Sequence, residues 1–145
     1  MFKCILKRKI NKLTWDNCEK FIPDFEYGKV IKIYDGDTIT LGTILHGKPY
    51  KFSVRLEGID APELKTQNEI EKTAGYLVKS KLEDLILHQM VKININGYDK
   101  FGRLLGKVYF NNICINDWLL ENKYCYKYTG KTKSVVDWSY LLGVS

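Results

Sequence analysis

The sequence predicts an α+β fold: a small, mainly antiparallel β-barrel of five strands with helices packed on it. Three observations predict it. Short β-branched segments with period-two alternation come in two groups, early and late in the chain. A long segment between the groups switches to three- and four-residue apolar spacing. Asp-Gly, His-Gly and Asn-Asn dipeptides separate the strands, as hairpin turns do.

Residues 1 to about 27 read as an N-terminal extension, and 28–145 as the folded domain. The basic start (Lys3, Lys7, Arg8, Lys9, Lys12) reads as a surface helix, a targeting arm or, by default, a tail. Asp16-Asn17-Cys18-Glu19 carries a weak capping signal for a short helix. Pro23 marks a break before the first strand.

Val30 to Ile33 is the first strand, and Asp35-Gly36-Asp37 the turn that ends it. Thr38 to Leu41 alternates, His46-Gly47-Lys48 turns, and Tyr50 to Leu56 alternates again, completing a three-stranded meander. Period two puts Arg55 on the face opposite Phe52, Val54 and Leu56. Leu64 to about Glu69 is a polar, irregular loop. From about Ile70 to Leu87, Ala74, Leu77, Val78, Leu82, Leu85 and Ile86 form one helical stripe. Val91, Ile93 and Ile95 alternate with polar residues as a strand, and Gly97 to Gly102 turns. Leu104 to Phe110, Asn111-Asn112 and Ile113 to Ile115 form a hairpin, after which Asp117 is placed to cap a short helix through about Asn122. A lysine-bearing tail from Thr129 ends in the apolar residues Trp138, Leu141 and Leu142. The order of three strands, helix, two or more strands, helix fits the five-stranded OB barrel, which binds nucleic acid across one face and its bordering loops.

A chain of 145 residues with 45% hydrophobic and 28% charged content suits one domain with a proper core. The formal charge of +6 favours a polyanion, nucleic acid or an anionic membrane face, unless the lysines simply solubilise. Cys4, Cys18, Cys114 and Cys125 form no C-x-x-C pair, and His46 and His88 are the two histidines. Structural zinc and histidine-based catalysis therefore lack material, and the cysteines read as reduced thiols. No apolar run has transmembrane length and no signal-peptide core follows the basic start. The expectation is a cytoplasmic protein, by default, with no membrane partner and no evident protein partner.

Three short constellations carry chemistry, and each alone is also an ordinary turn. Asp35-Gly36-Asp37-Thr38 offers Asp37 as an oxygen ligand. Arg55 precedes Asp60-Ala61-Pro62-Glu63, which adds a second ligand carboxylate and a candidate general base. Asp99-Lys100-Phe101-Gly102-Arg103 adds a second guanidinium fork, a point charge and an aromatic face.

Asp-Gly-Asp-Thr, Arg-x-x-x-x-Asp-x-Pro-Glu and Asp-Lys-Phe-Gly-Arg, in this order and spacing, resemble the staphylococcal nuclease (thermonuclease) family from about Gly28 to about Tyr128. The resemblance implies one calcium ion, or another divalent cation, held by Asp37, Asp60 and the carbonyl of Ala61, where threonine is more usual. It implies Arg55, Glu63 and Arg103 as catalytic residues. It implies Lys100, Phe101 (usually tyrosine), Tyr126 and Tyr128 as substrate contacts, with Tyr124 close by. The implied activity is hydrolysis of DNA and/or RNA, single-stranded or flexible, with low sequence specificity and 3′-phosphate products. The alternative is an OB-fold module that binds single strands without cutting. The family's long C-terminal helix and the loop after Glu63 both look shortened here.

Overall fold

A computed structural model describes residues 1–132 and 135–144, so the tail expected from Thr129 falls partly outside the described residues. Strands β1 (Tyr27–Asp35), β2 (Thr38–Leu45) and β3 (Lys48–Leu56) form the expected meander. β4 (Ile59–Asp60) and helix α2 (Glu69–Ile86) follow, with α1 (Phe2–Ile10) lying before the meander. Then come β5 (Met90–Tyr98), β6 (Leu104–Phe110), β7 (Ile113–Cys114), α3 (Ile115–Glu121), β8 (Tyr126–Lys127) and a 3-10 turn at Ser139–Leu142.

The large sheet runs β3-β2-β1-β5-β6-β7, and β3 also pairs in parallel with β6, which closes a five-stranded barrel with three helices outside. Closure registers Val54, Arg55 and Leu56 against Leu104, Leu105 and Gly106. The alternation seen in the sequence sets the interior: Val30, Ile39, Leu41, Val54, Leu56 and Val108 have no exposed surface. The stripe of α2 covers one end through Val78, Leu82 and Ile86, all fully buried. Burying side chains of this size contributes roughly 1.5–3 kcal/mol each. Asn68 caps α2 by accepting from the Glu71 amide at 3.1 Å. Asn111 and Asn112 both adopt positive φ, as a two-residue hairpin turn demands.

Three local expectations are corrected. Asp117 lies in the first turn of α3, whose N-cap is Cys114, because the helix begins two residues earlier at the buried Ile115. Asp16-Asn17-Cys18-Glu19 caps no helix. Instead the Asn17 carboxamide closes a local turn, accepting from Thr14 N at 2.8 Å and donating to Lys12 O at 2.9 Å. The basic start is helical as α1, with no buried residue. The end of the extension is laid along the barrel: the Tyr98 hydroxyl donates to Phe21 O at 2.6 Å, and Phe25 stacks on Phe52 at 5.3 Å. All four cysteines are free thiols, and no helix among the described residues is long and apolar enough to cross a membrane.

Candidate active site

The three constellations converge at one end of the barrel. The Asp35-Gly36-Asp37 turn brings Asp37, which is 6% exposed, to the rim. Its Oδ1 accepts from the Thr38 hydroxyl at 3.0 Å, and its Oδ2 accepts from the backbone N–H of Ala61 at 2.8 Å. Gly36 is required by close approach, since a Cβ there would lie 2.8 Å from Ala61 Cβ and 2.5 Å from Val78 Cγ1.

Arg55 is the penultimate residue of β3 and is buried at the barrel rim. Its Nη1 donates to Leu56 O at 2.8 Å. Its Nη2 lies 3.4 Å from Asp37 Oδ2 and 3.5 Å from Asp60 Oδ1. A guanidinium between two carboxylates gives each group removed from bulk water an opposite partner. The Tyr128 ring lies 6.0 Å from the Arg55 guanidinium carbon, at cation–π range.

Asp60 is held by a pairing too short to be visible in sequence. β4 pairs with β8, setting Ile59 against Lys127 and Asp60 against Tyr126, and Tyr128 N donates to Gly58 O at 2.9 Å. Glu63 is half-buried, and its amide donates to Glu71 Oε1 on α2 at 3.2 Å. Gly75 lets α2 pack on that segment: a Cβ there would lie 3.0 Å from Pro62 O and 3.2 Å from Glu63 O.

The third turn arrives through Arg103. Asp99 Oδ1 accepts from the amides of Phe101 and Arg103, each at 2.9 Å, and Asp99 Oδ2 accepts from Arg103 Nε at 2.6 Å. Burial raises the Asp99 carboxyl, but the hydrogen bonds from Arg103 and Phe101 outweigh it and hold the group below the usual aspartate range. Arg103 Nη1 reaches the Thr38 hydroxyl at 3.4 Å, tying this turn to the first. Phe101 is 71% exposed, with Lys100 Nζ 5.1 Å and the Arg103 guanidinium carbon 5.4 Å from its ring. Tyr126 packs edge-on to Trp138 at 5.0 Å and also meets Tyr140, whereas Tyr124 packs on Trp118. Of the three tyrosines, Tyr128 is the one in range of the site arginine.

Asp35 enters the site as more than a turn former. Burial, and then the charge of Asp37, push its carboxyl up to about 7, with Glu63 adding to the rise. Carboxylates crowded this closely are the charge pattern a cation relieves. The donors near Arg55 are all oxygen, as a hard cation prefers. Among the described residues no group of three or more His, Cys, Asp or Glu side chains is arranged to hold a metal. Two carboxylates such as Asp37 and Asp60 would leave the rest of a hard cation's shell to backbone carbonyl and water. Sequence alone did not single out Thr38 as a bridge, or Cys125. The Cys125 thiol is buried behind the cluster, 3.7 Å from Gly36 O, and burial followed by the Asp37 charge pushes it far up. It is an inert packing group.

A sequence model of the family described as staphylococcal nuclease homologue matches residues 53–137. The chain is 36% identical over 78 residues to the "Probable staphylococcal-like nuclease CAN2" of Oryza sativa subsp. japonica, covering 54% of this chain and 20% of that protein. It is 35% identical over 82 residues to the "Micrococcal nuclease" of Shigella flexneri, covering 57% of this chain and 41% of the relative. It is 40% identical over 88 residues to an "Uncharacterized endonuclease" of Haemophilus influenzae, covering 61% and 44%. The chain thus spans less than half the length of each of these relatives.

Proposed function

Because the chain belongs to the staphylococcal nuclease homologue family, we propose that it is a divalent-metal-dependent phosphodiesterase acting on DNA and/or RNA. One observation carries the reading. Arg55, Asp37 and Asp60 form a single ion-paired cluster around the buried arginine, and Arg103 is joined to it through Thr38.

In this reading Asp37, Asp60 and the Ala61 carbonyl hold the cation, calcium by preference, which when bound adds positive charge against the reacting phosphate. Arg55 and Arg103 bind phosphate oxygens more tightly as charge builds in the transition state. Glu63, fixed against α2, takes the proton of the attacking water. The water oxygen bonds to phosphorus, the bond to the 5′-oxygen breaks, and that oxygen takes a proton from solvent, leaving a 3′-phosphate. Lys100 supplies a point charge, and Phe101, Tyr126 and Tyr128 supply faces for base and sugar. None of these groups reads base edges, so sequence preference is low.

Digestion of single-stranded DNA and of RNA with a panel of divalent ions, with end-group analysis, tests the proposal. Cleavage that requires a divalent ion and leaves 3′-phosphates supports it. Tight binding without cutting under every ion would instead identify a binding module.

A further inference from the structure

The outer face of the meander carries a second feature that the site does not use. Period two puts Lys51 and Ser53 on the same face of β3 as Arg55, opposite Val54 and Leu56. The strand register then builds rows across the sheet. Arg55 pairs with Thr38, in the site. The next row is Ser53, Thr40 and Lys32, and the one after is Lys51, Gly42 and Lys29. An open groove of about 500 Å³ runs over these two rows, lined by Ile31, Lys32, Thr40, Lys51 and Ser53.

Local geometry makes the groove. A bulge between Val30 and Lys32 turns both Ile31 and Lys32 outward, and Gly42 leaves the floor without a side chain. Its charge is of one sign. No Asp or Glu occurs from Tyr27 to Tyr34 or from Thr38 to Leu56. Neither Lys32 nor Lys51 forms an ion pair among the described residues. The acids of the meander, Asp35 and Asp37, lie at the site end.

We propose that this groove binds the sugar-phosphate backbone of the polynucleotide flanking the phosphate at the Arg55 site, an inference that rests on the function proposed above. Lys32 and Lys51 are point charges for phosphates, and the Thr40 and Ser53 hydroxyls are donors to phosphate or sugar oxygens. Ile31, 40% exposed, gives the sugar an apolar contact. No aromatic ring lines the groove, so it reads backbone and not bases. Lys51 is four residues from Arg55, about 13 Å along the strand, so the groove is reached only by a substrate longer than the scissile unit. A concave floor with one exposed aliphatic residue suits a strand of nucleic acid better than a lipid surface.

The test compares the 145-residue chain with its Lys32→Gln/Lys51→Gln variant, with chelator present to prevent cutting, using a fluorescent single strand of about twelve nucleotides, within OB-barrel site sizes. Affinity is read by anisotropy across a salt series. The expected result is about tenfold weaker binding at low salt, with the log–log salt slope reduced by about 1.4, or about 0.7 for each phosphate that is no longer neutralised. A charge-matched Lys79→Gln/Lys81→Gln variant on α2 is expected to keep the wild-type slope. An unchanged slope in the groove variant would overturn the proposal, as would an equal loss in the α2 control. The readout needs no cleavage, so the groove can fail while the nuclease reading stands, and the reverse.

Discussion

Ala61 donates its backbone N–H to the carboxylate of Asp37 at 2.8 Å, a contact between residues 24 apart in the chain. This hydrogen bond docks the Asp60–Glu63 segment on the turn that ends β1. It places Asp60 across Arg55 from Asp37.

Arg55 lies between two carboxylates that are also the proposed cation ligands. Replacing Arg55 with Ala is expected to lower kcat by about a hundredfold or more, the scale for loss of one transition-state donor. The same change removes a competing positive charge, so calcium affinity by calorimetry should rise by about tenfold, or about 1.4 kcal/mol. Weaker calcium binding in this variant would contradict the placement of the site.

Asp99 positions Arg103 through the side chain and two backbone amides of its turn. Asp99→Asn should cut kcat about tenfold or more, since misplacing a charged donor is costly. The pH dependence has a definite sign. A carboxyl held below its ordinary value of 3.8 stabilises the fold above that pH, and the contribution is lost as pH falls through the lowered folded value. Urea midpoints of wild type and Asp99→Asn should therefore differ at pH near 6 and converge as pH falls through the lowered folded value.

Asn116 is 1% exposed and joins β6 to the turn that follows β3. Its carbonyl accepts from Val108 N at 3.1 Å, and its amide donates to Glu57 O at 2.9 Å and Gly106 O at 3.2 Å. Asn116→Ala strips its partner from the Val108 amide and the Glu57 carbonyl, while Gly106 O keeps the Glu57 amide at 2.9 Å, and is expected to cost about 2–4 kcal/mol in chemical denaturation.

Gly75 faces the carbonyls of Pro62 and Glu63. Gly75→Ala improves helix propensity by up to about 1 kcal/mol but must push that backbone away. The expected outcome is a fall in kcat larger than any change in KM, because Glu63 moves and the phosphate contacts stay.

The motifs were legible because each is a short local turn whose residue types reveal it. The barrel strands were legible because Val30, Ile39, Leu41, Val54 and Leu56 alternate with polar residues. The two-residue pairing of β4 with β8 was not, since Ile59-Asp60 and Tyr126-Lys127 are too short to show any period. It is this pairing that sets Tyr128 over Arg55. The role of Asn116 was hidden for a similar reason: a single polar residue at the start of a helix looks like any cap until its strand partners are known. The start of α3 was misplaced because burial of Ile115 outweighed the capping preference of Asp117.

The most direct test is digestion of single-stranded DNA by wild type and by Glu63→Ala, each with calcium and then with excess chelator. Cleavage by wild type in calcium is expected, abolished by chelator and reduced about a hundredfold or more in Glu63→Ala. Cleavage undiminished by both the chelator and the substitution would contradict the account.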